Sequence, residues 1–189
     1  LEYRSPTPRL VLPAEGIRAT AIGASEYTIQ ASGVTSYLSN LDALPVYGLK
    51  VLRADVRDIP AGAALLTALK KLDLDRFTDG LALALRLGAG PTYARLRHIA
   101  EEVQTFVGRT DAPQAPLFVI LDVDVAKAFG GILKEELGLS QDLLVIDGIK
   151  VGDLDYVDVG RPLGTSDSLP VTVKSLTFPG ADSSPRRRS

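Results

Sequence analysis

Residues 117–146 read LFVILDVDVAKAFGGILKEELGLSQDLLVI, and this stretch decides the fold. Leu117-Phe118-Val119-Ile120-Leu121 and Leu143-Leu144-Val145-Ile146 are unbroken apolar runs, the mark of strands buried on both faces. Between them Asp122 to Asp124 make a turn. Val125 to Leu137 then places Phe129, Leu133 and Leu137 at helical spacing, with Gly138 as its stop.

The same grammar precedes it. Leu81 to Leu87 is a continuous apolar segment that ends at Gly88-Ala89-Gly90-Pro91. A helix follows, in which Tyr93, Leu96, Ile99, Val103 and Phe106 share a face and Gly108 can cap the end. Further upstream, Leu49 to Arg53 predicts a strand, and Pro60 opens a helix with Leu65, Leu66, Leu69 and Leu72 on one stripe. Apolar strands separated by amphipathic helices predict parallel pairing through right-handed crossovers, because each helix must return the chain to the same edge. The expected fold class is therefore α/β, a Rossmann-like mixed sheet.

The flanks alternate with period two, which predicts antiparallel additions with one wet face. At the end these are Asp155 to Val159 and Leu169 to Phe178, joined by a turn at Gly160 to Gly164. At the front, 17–22 and 27–32 form a hairpin around Gly23-Ala24-Ser25-Glu26. With Pro6, Pro8 and Pro13, residues 1–15 read as an extended lead-in or linker. One domain is expected over 16–178, and 179–189 reads as a solvated, disordered basic tail.

Composition narrows the function classes. The 189 residues carry 21 basic and 23 acidic side chains, a net charge of -2 that offers no broad footprint for nucleic acid or an anionic membrane. Cysteine is absent, which removes disulfides, thiolate metal sites and cysteine nucleophiles; a reducing cytoplasm is compatible. No apolar run approaches the roughly 18 residues of a membrane span. The chain also lacks Met, so Leu1 is not expected to be a native start and a fragment of a longer protein is expected.

Ligands of open parallel sheets sit beyond the carboxyl ends of the strands. Gly88-Ala89-Gly90 has that position, with Thr92 near the helix start, and its backbone could approach a phosphate, but glycine for a positive φ alone is the plainer reading of so short a motif. Asp122 and Asp124, after an apolar strand, resemble the Asp-x-Asp of haloacid-dehalogenase-type phosphatases, with Gly152-Asp153 and Asp158 as a magnesium loop. Val125 and Ala126 depart from that motif, and Asp124 reads alternatively as a helix N-cap. His98 is the single histidine, which leaves no multi-histidine metal site. Asp147, Asp153, Asp155 and Asp158 form an acidic run that either holds magnesium or is solvated turn and strand edge.

Three stretches carry a family resemblance: GIRATAIGAS at 16–25 with IQASG at 29–33, DYVDVGRPL at 155–163, and LPVTVKSL at 169–176. Together they resemble the EutA family of ethanolamine ammonia-lyase reactivating factors over about 16–178. The resemblance implies an actin/Hsp70-type ATPase fold, with this chain as its second, C-terminal lobe. It also implies ATP and magnesium as cofactors of the full-length protein, ethanolamine ammonia-lyase as partner, and release of damaged cobalamin so that fresh adenosylcobalamin can bind. A cytoplasmic or microcompartment-associated site of action would follow. The adenosine-side loop would be Gly23-Ala24-Ser25 or, alternatively, Gly88 to Gly90. The Asp-Gly-Thr-like first phosphate loop is not in this sequence, so no catalytic residue is assigned and hydrolysis by this chain alone is not expected. Two other readings stand beside it: an independent nucleotide or small-molecule binding module, and a magnesium-dependent phosphatase using Asp122 and Asp124.

Overall fold

The computed structural model describes residues 25–33, 36–74, 80–109, 115–162 and 168–176. Tyr27–Ser175 form one compact unit; a second unit, Leu1–Glu26 with Leu176–Ser189, contributes only Ser25, Glu26 and Leu176 to the described residues. The expected lead-in, the first hairpin strand at 17–22, Leu163 and Gly164 of the expected turn, and the basic tail lie outside the described residues.

Eight strands are described: β1 (Ser25–Ala31), β2 (Tyr37–Leu38), β3 (Val46–Asp55), β4 (Leu81–Arg86), β5 (Leu117–Leu121), β6 (Leu143–Asp147), β7 (Tyr156–Val159) and β8 (Pro170–Leu176). The helices are α1 (Ala61–Lys71), α2 (Tyr93–Gly108) and α3 (Ala126–Gly131), the last continuing into a π-helical turn over Ile132–Glu136. The strands form one sheet in the order β1-β8-β7-β3-β4-β5-β6-β2. β3 to β6 are parallel neighbours, while β7 on β3, β8 on β7 and β2 on β6 are antiparallel. A parallel centre with antiparallel additions is the arrangement that the apolar and alternating strand patterns dictate.

The central strands bury both faces. In β4, Leu81, Leu83 and Leu85 join one apolar cluster and Ala82 and Ala84 the other, the alternation that the pleat imposes. The first cluster contains every buried hydrophobic side chain of the described helices, from Leu65 and Leu69 of α1 through Leu96, Ile99 and Val103 of α2 to Phe129 and Leu133. The second contains none. It is completed by Leu44, Ile149 and the inward residues of β7 and β8, Val157, Val159, Val171 and Val173.

All three described α-helices therefore pack on one face, a placement that the expected Rossmann-like mixed sheet left unspecified. A doubly wound sheet reverses direction midway and places helices on both sides. Here β3, β4, β5 and β6 are added in one direction, and crossovers of one hand then deliver every helix to the same side. The described parallel strands consequently have no switch-point crevice between them.

Local chemistry explains the remaining departures. Ser25 and Glu26, expected in a turn, open β1. Gly108 closes α2 from within, and Arg109 is the cap residue. The N-cap residue of α3 is Val125, one position after the expected Asp124, and Val125 makes no side-chain cap bond. The first amide of that helix, on Ala126, instead donates to the buried carboxylate of Asp147 at 3.0 Å. Within β3, Gly48 adopts φ +69 where the pairing with β7 shifts register, a bulge that needs the missing Cβ. Asp158 of β7 accepts the Gly48 amide at 2.7 Å.

Candidate functional site

Three segments meet at the carboxyl end of the parallel strands. β4 runs out through Leu87 into a loop in which Gly88 and Gly90 have φ +76 and +61. Those values require glycine or a strained residue. β5 runs out into Asp122, whose carboxylate accepts from the Leu87 amide at 2.8 Å and the Gly88 amide at 3.4 Å. β3 runs out into Asp55-Val56-Arg57. The Arg57 guanidinium grips Asp55 through contacts of 2.7, 2.9 and 3.1 Å, and its stem lies against Gly88, where an added Cβ would sit 3.1 Å from Arg57 Cδ. From α2, Arg95 donates to the carbonyls of Val56, at 3.0 Å, and Arg57.

Electrostatics follows from this geometry. The hydrogen bonds from Arg57, with a smaller attraction from Arg86, lower the Asp55 carboxyl from 3.8 to about 2, against a weaker opposing effect of burial. Asp55 in turn raises the Arg57 guanidinium. Asp55 is exposed, so the pair is a surface ion pair of good geometry rather than a buried one.

The expected site residues separate into three groups. Gly23 and Ala24 lie outside the described residues, and Ser25 begins β1. Gly88 and Gly90 stand at the carboxyl edge as expected, but they differ. The Gly88 amide is engaged by Asp122, whereas a Cβ on Gly90 would meet nothing within 4 Å. Thr92 is the N-cap of α2, accepting from the Arg95 amide at 3.3 Å.

The acidic residues are not brought together. Asp122 anchors the glycine loop, Asp147 the start of α3, Asp155 the Gly152 amide at 2.6 Å, and Asp158 the Gly48 amide. Lys174 pairs with Asp158 at 2.5 Å, and Arg53 with Asp153 at 3.6 Å. No group of three or more potential metal ligands occurs among the described residues. His98 is exposed on α2, 4.0 Å from Glu101. Sequence reasoning missed Asp55, Arg57 and Arg86. A partial signal was available: Asp55 and Arg86 are charged residues closing apolar strands, whereas Arg57 lies beyond the end of β3.

Comparison with known proteins gives the chain its family. The family model described as ethanolamine utilisation protein EutA matches residues 5–179. The ethanolamine ammonia-lyase reactivase EutA of Salmonella typhimurium is 40% identical over 168 residues, covering 88% of this chain and 35% of that protein. Its Escherichia coli counterpart is 39% identical over 168 residues, with the same coverage of 88% and 35%. The chain thus spans about a third of the length of the curated relatives it matches. No solved structure matches it. With nearly its whole length matched by the family model and two-fifths of the aligned positions identical to the Salmonella relative, the chain belongs to the EutA family of ethanolamine utilisation proteins.

Proposed function

We propose that the full-length protein is a reactivating factor for ethanolamine ammonia-lyase and that this chain forms one lobe of it. The observation that carries the reading is the identity of 40% over 168 residues to a protein named for that activity. In the proposed cycle, ATP with magnesium binds between two lobes of an actin/Hsp70-type ATPase. The nucleotide state sets the lobe angle, and differential contact with the lyase in the two states opens its cofactor pocket and releases damaged cobalamin. Bound ATP supplies the free energy for that exchange. The protein would act in the cytoplasm, where the lyase and its cofactor meet, or within a microcompartment.

The chain's own residues support a part of this. The loop after β4 lies at the carboxyl edge ahead of α2, and Gly90 is its open point, where a phosphate can approach the backbone. Gly88 is closed by Arg57 and engaged by Asp122, so its role is to let the loop turn. The other adenosine-side assignment, at Gly23-Ala24-Ser25, falls on two residues outside the described ones and on Ser25, the first residue of β1. A metal-dependent phosphatase is disfavoured by the scatter of its required carboxylates over separate structural tasks.

The test is a titration of the full-length protein with ATP, read by calorimetry, followed by its affinity for the lyase with and without nucleotide. The reading predicts ATP binding and a nucleotide-dependent change in affinity for the lyase. Absence of both results contradicts it.

A further inference from the structure

On the face of the sheet opposite the described α-helices, a cavity of about 280 Å³ opens where β3, β4 and β5 end. We propose that it is a binding site for a phosphate-bearing anion, held by Arg53, Arg86 and Lys150. The cavity adjoins the Gly88–Gly90 loop through Asp122, and its anion chemistry is argued without the reactivase reading.

Register builds the site. Arg53 pairs across to Ala84, and Ala84 to Ile120, so one row of this face ends in a cation beside two apolar residues. One step further out on the same face are Asp55, Arg86 and Asp122, beyond Arg53, Ala84 and Ile120 respectively, with Asp55 paired across to Arg86. Val51, Ala82, Ala84, Phe118 and Ile120 keep this face apolar up to that point. The charge therefore enters at the last inward positions. Alanine on the central strand leaves the space, and the segment Ile149-Lys150-Val151 supplies the opposing wall.

Charge and geometry select the ligand. Three cations and one carboxylate line the cavity. Asp122 is directed to the Leu87 amide at 2.8 Å, and no described ion pair joins it to Arg53, Arg86 or Lys150. Arg53 and Arg86 are only loosely paired, to Asp153 at 3.6 Å and to Asp55 at 3.8 Å, both beyond hydrogen-bond reach. Asp55 is held by Arg57 instead, at 2.7 Å. Two arginines and a lysine lining one cavity match the chemistry of a phosphate group, which accepts bidentate bonds from arginine. The same chemistry is offered by inorganic phosphate, by a polyphosphate or by the phosphates of a nucleotide.

The experiment is an NMR titration of the full chain, at low and at physiological salt, with inorganic phosphate, tripolyphosphate, ATP and adenosine in turn. The proposal predicts shifts at Arg53, Arg86 and Lys150 with the phosphate-bearing ligands, weaker at higher salt, and none there with adenosine. Tighter binding of ATP than of tripolyphosphate would mark the ligand as a nucleotide; equal binding would mark it as the phosphate alone. Arg53→Gln and Arg86→Gln should each weaken binding about tenfold or more. Arg97→Gln, on α2, should leave it unchanged. Both cavity arginines are more than 40% exposed, so their loss leaves the core intact, and the charge-keeping Arg53→Lys should bind with intermediate strength. Equal binding by wild type, Arg53→Gln and Arg86→Gln, or no binding by any, overturns the proposal.

Discussion

Asp122 shows how one side chain changes meaning between sequence and structure. An aspartate directly after a buried strand has the placement of a nucleophile, yet its carboxylate satisfies two amides of the neighbouring loop. A free amide pair at a strand end would otherwise need water or a ligand anion. Asp55 and Arg57 lock the adjoining segment in the same way, and their pairing has a readable pH signature. The carboxyl lies below its ordinary value, so the pair favours the fold above pH 3.8, and that contribution is lost as the pH falls toward about 2. A carbon-detected NMR titration should place the Asp55 midpoint near 2, and Arg57→Ala should return it to the ordinary carboxylate range. A wild-type midpoint near 4 would contradict the geometry described for Arg57.

The elements bear their own tests, and α3 gives the sharpest. Its Gly130 faces Tyr37 of β2 so closely that an added Cβ would lie 2.2 Å from the Tyr37 Cγ and 2.4 Å from its Cβ. The ring cannot swing away cheaply, because the clash is at the root of the side chain. Gly130→Ala should therefore destabilise the protein by about 1–3 kcal/mol in urea unfolding, the range for overpacking, and Tyr37→Ala in the same background should recover part of the loss. No change in the midpoint would mean that β2 does not seat against α3. The central strands and α1 and α2 were legible in the sequence because long apolar or periodic runs leave little choice. β2 was not: two residues, Tyr37 and Leu38, carry no period, and their place is set by long-range pairing with β6 and by the helix glycine opposite Tyr37. The cap of α3 was also hidden, since Asp147 lies 21 residues from the Ala126 amide that it accepts.

At the scale of the whole molecule, alternation and apolar runs were enough for a parallel centre with antiparallel flanks, but not for the side on which the helices lie. That depends on strand order, which is a long-range property. The site was half legible. Gly88 and Gly90 could be placed at the carboxyl edge from their position after an apolar strand, whereas the charged cluster of Asp55, Arg57, Arg86 and Asp122 is assembled from three strands that no local pattern connects. Family membership, by contrast, was carried by the stretches at 16–33 and 155–176, and the match over 5–179 includes both. The proposed function is that the full-length protein removes spent cofactor from ethanolamine ammonia-lyase. The most direct measurement loads the lyase with a cobalamin lacking the adenosyl group, adds the full-length protein with ATP and magnesium, and follows free cobalamin by absorbance after rapid filtration. The account predicts release that requires both protein and ATP, with lyase activity restored by fresh adenosylcobalamin; retention of the damaged cobalamin under those conditions would contradict it.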